Sequence, residues 1–160
     1  MELLLLRHGV AEGFSDGGDF ARELTAKGRE RSRGMAQVAR DMDRLPDLVL
    51  TSPRVRARQT AEVFCEAAGI DGPVVESWID CGMHAETAMR ELVAYHHLGR
   101  VMLVGHEPDF SILVEALLGT PAGRVEFKKG ALACLEVRPP AVTGVLRWMI
   151  PPRAADGRGA

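Results

Sequence analysis

Four consecutive leucines, Leu3 to Leu6, run directly into Arg7, His8 and Gly9. An unbroken apolar run of this length predicts a buried strand rather than one with a wet face. Such a strand would hand a guanidinium, an imidazole and a glycine to one point. That makes little sense as packing, because arginine is costly to bury without an anionic partner. It makes sense as a phosphoryl site, with His8 as nucleophile or base, Arg7 on anionic oxygens and Gly9 turning the backbone close to the ligand.

The same theme returns along the chain. Leu48-Val49-Leu50 and Val101 to Val104 are further apolar strands, and Val74-Val75 a weaker one. Between them lie helical patterns: Leu24 to Leu45, Ser52 to Ala68, Glu86 to about His97, and Pro108 to Leu118. Ser52 offers an N-cap hydroxyl with Pro53 at the first helical position, and Gly69 ends that helix. Residues 11–20, rich in Gly, Ser and Asp, predict a surface loop, while Ala131 to Val137 and Val145 to Ile150 predict a late edge hairpin. Strands alternating with helices imply a three-layer α/β/α sandwich with a mostly parallel central sheet and right-handed crossovers. Residues 1–150 are expected to form one domain, followed by a loose tail at 151–160. Ligands of such sheets bind beyond the carboxyl ends of the strands. Arg7-His8-Gly9, Ser52-Pro53 and Gly105-His106 each follow an apolar strand, so the fold would bring them to one rim.

Composition removes competing classes. With a net charge of −2, the chain has no global basic field for nucleic acid or an anionic membrane, so any anion site must be local. Cys65, Cys81 and Cys134 are odd in number and widely spaced, which suggests neither a disulfide framework nor a zinc site. Reduced thiols in a cytoplasm are expected, and the first apolar run is too short for a signal peptide.

Arg54, Arg56 and Arg58 crowd the start of the second helix, where the dipole already favours anions. His106, beside Gly105 and just before another helix, could donate to the same anion. Taken in order, Leu6-Arg7-His8-Gly9, Arg22-Glu23-Leu24-Thr25-Ala26-Lys27-Gly28, the segment Ser52 to Glu62, Val104-Gly105-His106, and Phe127 to Ala131 with Trp148 resemble the histidine phosphatase superfamily, and within it the SixA-type phosphohistidine phosphatases. The resemblance implies a phosphoglycerate mutase-like fold. It makes His8 the phosphoryl-accepting nucleophile, with Arg7, Arg56 and His106 as the phosphate-binding cluster. Arg22, Gly9 and Gly105 are expected to contribute to substrate binding, and neither metal nor cofactor is expected.

The bottom-up chemistry agrees: in-line transfer needs a neutral nucleophile and cationic donors around the equatorial oxygens. Arg22 could reach the phosphate or form a surface salt bridge. Gln59 and Thr60 read as scaffold, and Lys128-Lys129 as a solvated turn. Larger superfamily members resemble this chain but carry a glutamate that protonates an alkoxide leaving group. Here Glu76, Asp80, His84 and Glu86 are candidates without a clean match. An imidazole leaving group needs less help, since it titrates near about 6.5. The expected activity is therefore hydrolysis of phosphohistidine on a protein through phospho-His8. A small-molecule phosphomonoesterase is the alternative, followed by a catalytically weak phosphate-binding module.

Overall fold

In the computed structural model, which describes residues 1–159, the apolar runs form the centre of a six-stranded sheet. Its strands are β1 (Glu2–Arg7), β2 (Leu48–Thr51), β3 (Val74–Val75), β4 (Arg100–Gly105), β5 (Leu132–Val137) and β6 (Gly144–Ile150), in the order β3-β2-β4-β1-β5-β6. Neighbours from β3 through β1 pair in parallel, whereas β5 pairs antiparallel with both β1 and β6. The late hairpin is thus an edge, as its sequence predicted.

Successive side chains of a strand point to opposite faces, so a run without polar residues needs both faces covered. Leu3 and Leu5 join Leu50, Val101 and Leu103 in one core, while Leu4 and Leu6 join Val49, Met102 and Val104 in the other. Helices α3 (Ala85–Glu91) and α4 (Asp109–Leu118) cover the first face with Met89, Phe110 and Leu113. Helices α1 (Ala26–Asp41) and α2 (Val55–Ala68) cover the second with Met35, Ala57 and Phe64. Truncating one of the central leucines to alanine is expected to cost about 2–5 kcal/mol.

Register decides where the chemistry goes. Arg7 lies opposite Gly105, and Thr51 opposite Val104. β1, β2 and β4 therefore end nearly level, and the N–H groups of His8 and Ser52 bond the carbonyls of Gly105 and Val104, both at 3.0 Å. His8, Ser52 and His106 are the first residues past that edge.

Several boundaries differ from expectation. α1 starts after Thr25, whose hydroxyl accepts the Gly28 N–H at 3.1 Å, and stops at Asp41 instead of Leu45. α2 starts at Val55, with Arg54 as its N-cap, because Ser52 is used elsewhere. α3 is short and passes into a 3-10 turn at Leu92–Tyr95. Gly69 does end α2, in the left-handed conformation at φ 64°.

The segment after residue 150 is not loose. A 3-10 turn at Pro152–Ala155 buries Ala155 completely against α1. The approach is so close that a Cβ on Gly34 would sit 2.2 Å from the Ala155 carbonyl oxygen. Arg31 pairs with Asp156 at 2.7 Å, and Arg158 with Asp41 at 2.5 Å. Small residues such as Ala154 and Ala155 carry no hydrophobic periodicity, so this docking left no trace in the sequence pattern. Among the described residues, no helix is long and apolar enough to cross a membrane.

Candidate active site

The level strand ends bring His8 and His106 together, their ring centroids 5.3 Å apart and their planes tilted by 55°. His8 is 5% exposed and His106 2%. The His8 Nδ1 lies 2.8 Å from the Gly9 carbonyl oxygen, which can only accept, so Nδ1 carries the proton and Nε2 holds a lone pair. Burial, opposed by that carbonyl and reinforced by His106, Arg56 and Arg7, pushes the His8 imidazole down to about 3. It is neutral and nucleophilic at physiological pH. The Arg56 Nε points at its Nε2 from 3.3 Å.

His106 Nε2 lies 2.7 Å from the Ser52 hydroxyl, which also accepts the Arg54 backbone N–H at 3.3 Å. The hydroxyl can donate to Nε2, and an anion accepting from Nδ1 would select the tautomer in which it does. Burial, with Arg56 and Arg54 nearby, lowers His106 to about 4. Its Nδ1 is buried without a partner, as is Arg7 Nε. Two unpartnered buried nitrogens among the described residues of one cluster are exceptional, and an anion seated among them could accept from both. Arg7 is fixed by a 2.7 Å bond to the Phe127 carbonyl.

These four residues are the predicted cluster. Arg22 is not part of it: its Nε donates to the Glu12 carbonyl at 2.6 Å and its Nη1 to Asp19 at 2.8 Å. Of the two readings for Arg22, the structure shows the surface salt bridge. Gly9 does not present its amide either, because the N–H bonds Thr60 Oγ1 at 3.0 Å. Gly105 makes room for the Phe110 ring, which would stand 2.9 Å from a Cβ. Thr60 is scaffold as expected, and Gln59 bonds the Leu24 N–H at 2.8 Å. Arg58 is half exposed beside Glu62.

The sequence reading missed Asp19. Its carbonyl and carboxylate take both terminal nitrogens of Arg56, at 2.8 and 3.2 Å, and the carboxylate also receives Arg54 at 2.7 Å. Arg54 in turn reaches Asp80 at 2.5 Å. Arg22 above all, then Arg56, hold the Asp19 carboxyl below the usual range against mild desolvation. An acidic residue three positions before Arg22 in a polar loop was the available signal.

The fold and this geometry can now be set beside known proteins. The model of the histidine phosphatase superfamily (branch 1) matches residues 3–79. An uncharacterized protein of Picosynechococcus is 34% identical over 139 residues, spanning 82% of each chain. The protein histidine phosphatase SixA, solved with tungstate, superposes with a TM-score of 0.84 at 25% identity, covering 95% of this chain and 97% of that one. This chain belongs to the histidine phosphatase superfamily, on its SixA-type branch. The alpha-ribazole phosphatase from Shigella flexneri shares the fold, with a TM-score of 0.74 at 19% identity over 95% of this chain and 97% of its own.

The remaining question for this histidine phosphatase is the acid. Of the four candidates, Glu76 accepts the Tyr95 hydroxyl at 2.9 Å, while His84 and Glu86 are exposed at the start of α3. Only Asp80 reaches the site. Against the upward push of burial, Arg54 and the Cys81 N–H hold its carboxyl below the usual range, so it is ionised and cannot donate a proton at neutral pH. Glu107, next in sequence to His106, is raised by burial against the lowering effect of Ser111, which donates to both of its oxygens. Asp80, Cys81 and His106 bring ligand-type atoms within 4.8 Å of one another. Arg54 and Arg56 face the same point, so this set suits an anion better than a cation.

Proposed function

We propose that this histidine phosphatase hydrolyses phosphohistidine on a protein substrate, through a phospho-His8 intermediate and without a metal. The observation that carries the reading is a neutral His8 in a cationic pocket where Asp80, the one acid candidate that reaches the site, is held ionised by Arg54. His8 Nε2 attacks phosphorus as the bond to the substrate nitrogen breaks, and the leaving imidazole keeps that electron pair. Arg7, Arg56 and His106 stabilise the equatorial oxygens. Water then attacks phospho-His8, releasing inorganic phosphate and restoring the imidazole.

Transfer from one imidazole to another exchanges like for like, so it needs no strong acid. An alkoxide does, and lacking one typically costs about 10²–10⁴-fold. The loop at residues 11–20 is largely exposed, which suits a side chain presented by another protein. Fold kinship with an alpha-ribazole phosphatase keeps small phosphate esters as the second reading. A cytoplasmic setting fits the buried thiols Cys65 and Cys134, which burial pushes up to about 11 and so keeps protonated.

The test is a comparison of turnover on a phosphohistidine protein with a panel of phosphate esters, with mass spectrometry of the trapped enzyme. Fast cleavage of phosphohistidine and of activated aryl phosphates, slow cleavage of phosphoserine and phosphate on His8 support the reading. Efficient alkyl ester hydrolysis with phosphohistidine left intact overturns it in favour of the second.

A further inference from the structure

His8 attacks with its distal N–H already satisfied by the Gly9 carbonyl at 2.8 Å. A phosphohistidine entering from the open side presents the mirror problem. Its distal ring nitrogen also carries a proton when the ring is the better, cationic leaving group, and that N–H needs an acceptor. Because His8 lies on the buried floor, an in-line leaving group must depart toward solvent, and the exposed Asp19 and Phe20 stand at the rim of that site. One guanidinium, that of Arg56, separates His8 Nε2 from the Asp19 carboxylate.

Resting on the phosphohistidine reading above, we propose that Asp19 and Phe20 form the leaving-group subsite, with Asp19 accepting the distal N–H of the departing imidazole and Phe20 stacking on its ring. The Asp19 side chain is 54% exposed despite its three arginine partners, and a carboxylate has acceptor sites beyond those three bonds. Phe20 is 47% exposed, with the Arg54 guanidinium 5.7 Å from its ring centroid. An aromatic face and a carboxylate together suit a planar cation. The same loop lines an open depression of ≈ 260 Å³ bounded by Gly13, Phe14, Ser15, Gly18, Asp19 and Arg22, which gives residues flanking the substrate histidine a place to lie.

A carboxylate at this point favours the protonated phosphoimidazole, so the ring leaves as neutral imidazole when the P–N bond breaks and the phosphoryl group passes to His8 Nε2. The same charge repels an anionic leaving group such as p-nitrophenolate. Asp19 therefore selects between leaving groups, which a residue that only aligned Arg56 would not do.

The experiment measures kcat/KM for a phosphohistidine peptide and for p-nitrophenyl phosphate in the wild type, D19N and F20L. Tungstate affinity and thermal melting confirm that each variant retains its site. The ratio of phosphohistidine to p-nitrophenyl phosphate activity is expected to fall at least about tenfold in D19N, the effect of one hydrogen bond to a charged group. In F20L it should fall about two- to fivefold. The alkaline limb of the phosphohistidine pH profile should also move down by about one unit in D19N, with the p-nitrophenyl phosphate limb unmoved. Equal losses on both substrates, with an unshifted limb, overturn the subsite and leave Asp19 as an aligner of Arg56. If D19N does not fold, an unchanged ratio in F20L overturns it. A wild type that cleaves esters but not phosphohistidine overturns the underlying reading as well, and so is a distinguishable result.

Discussion

The floor and the rim of this site are built on opposite principles. On the floor, His8 and His106 are buried and neutral, and His106 Nδ1 and Arg7 Nε have no partners. On the rim, Asp19, Arg22, Arg54 and Asp80 are partly exposed and paired with one another. Unpartnered buried nitrogens beside two guanidiniums favour an acceptor, and an anion above all, which fits the floor as the place of the proposed chemistry. Surface ion pairs hold shape and adjust charge, each contributing modestly to stability. Floor substitutions should therefore remove turnover, and rim substitutions should redistribute it among substrates.

The sharpest break is His8→Ala, which is expected to lower turnover by about 10⁴-fold or more while the protein still unfolds cooperatively; activity near the wild type would end the covalent mechanism. Arg56→Ala spans both regions. It should lose about 10²–10³-fold in kcat, the scale of a deleted oxyanion donor, as measured by steady-state kinetics.

Acid titration separates the regions without mutation. The floor histidines take up a proton at about 3 and 4 when folded, but near about 6.5 when unfolded. Below that pH the unfolded chain binds more protons, so stability falls with pH, by about 2 kcal/mol per imidazole at pH 5. The rim carboxylates Asp19 and Asp80 are depressed instead, so their contribution is lost only below the unfolded carboxylate value of about 3.9. Urea midpoints that stay flat from pH 8 to pH 5 would contradict the buried neutral histidines.

Smaller effects belong to the rim. Arg54→Ala should cost about tenfold in kcat/KM, since it frees both Asp19 and Asp80 beside the phosphate. Arg22→Ala should stay within about threefold, as expected for a partly exposed pair, and a larger loss would restore it as a phosphate ligand.

How far the sequence could see follows the same division. Leu3 to Leu6 announced a strand covered on both faces, and the three strand-end segments announced one rim, because both signals are contiguous in the chain. Asp19 was invisible as a site residue, since nothing local distinguishes it from the other polar residues of its loop. Its meaning comes from Arg54 and Arg56, more than thirty residues away. The support of Arg7 by the Phe127 carbonyl spans 120 positions and uses a backbone atom that no residue type reveals. The C-terminal turn was misread for a related reason, since it packs through alanines and the absence of a side chain at Gly34.

By itself, then, the sequence determined which groups this protein could bring to its chemistry, because a guanidinium and an imidazole at one strand end, a second imidazole at another and a guanidinium in the first turn of a helix are specified by residue identity and hydrophobic pattern. Tertiary structure decided which of the neighbouring charges would join them. Arg22 and Arg56 are the same residue type, and each is close in sequence to a predicted strand end or loop. Both reach Asp19, and what separates them is the Nε: that of Arg22 donates to the Glu12 backbone carbonyl on the rim, whereas that of Arg56 faces His8 Nε2 at the level ends of β1 and β4. Electrostatic roles depend on distance and burial, and neither is a property of a residue before the chain has folded.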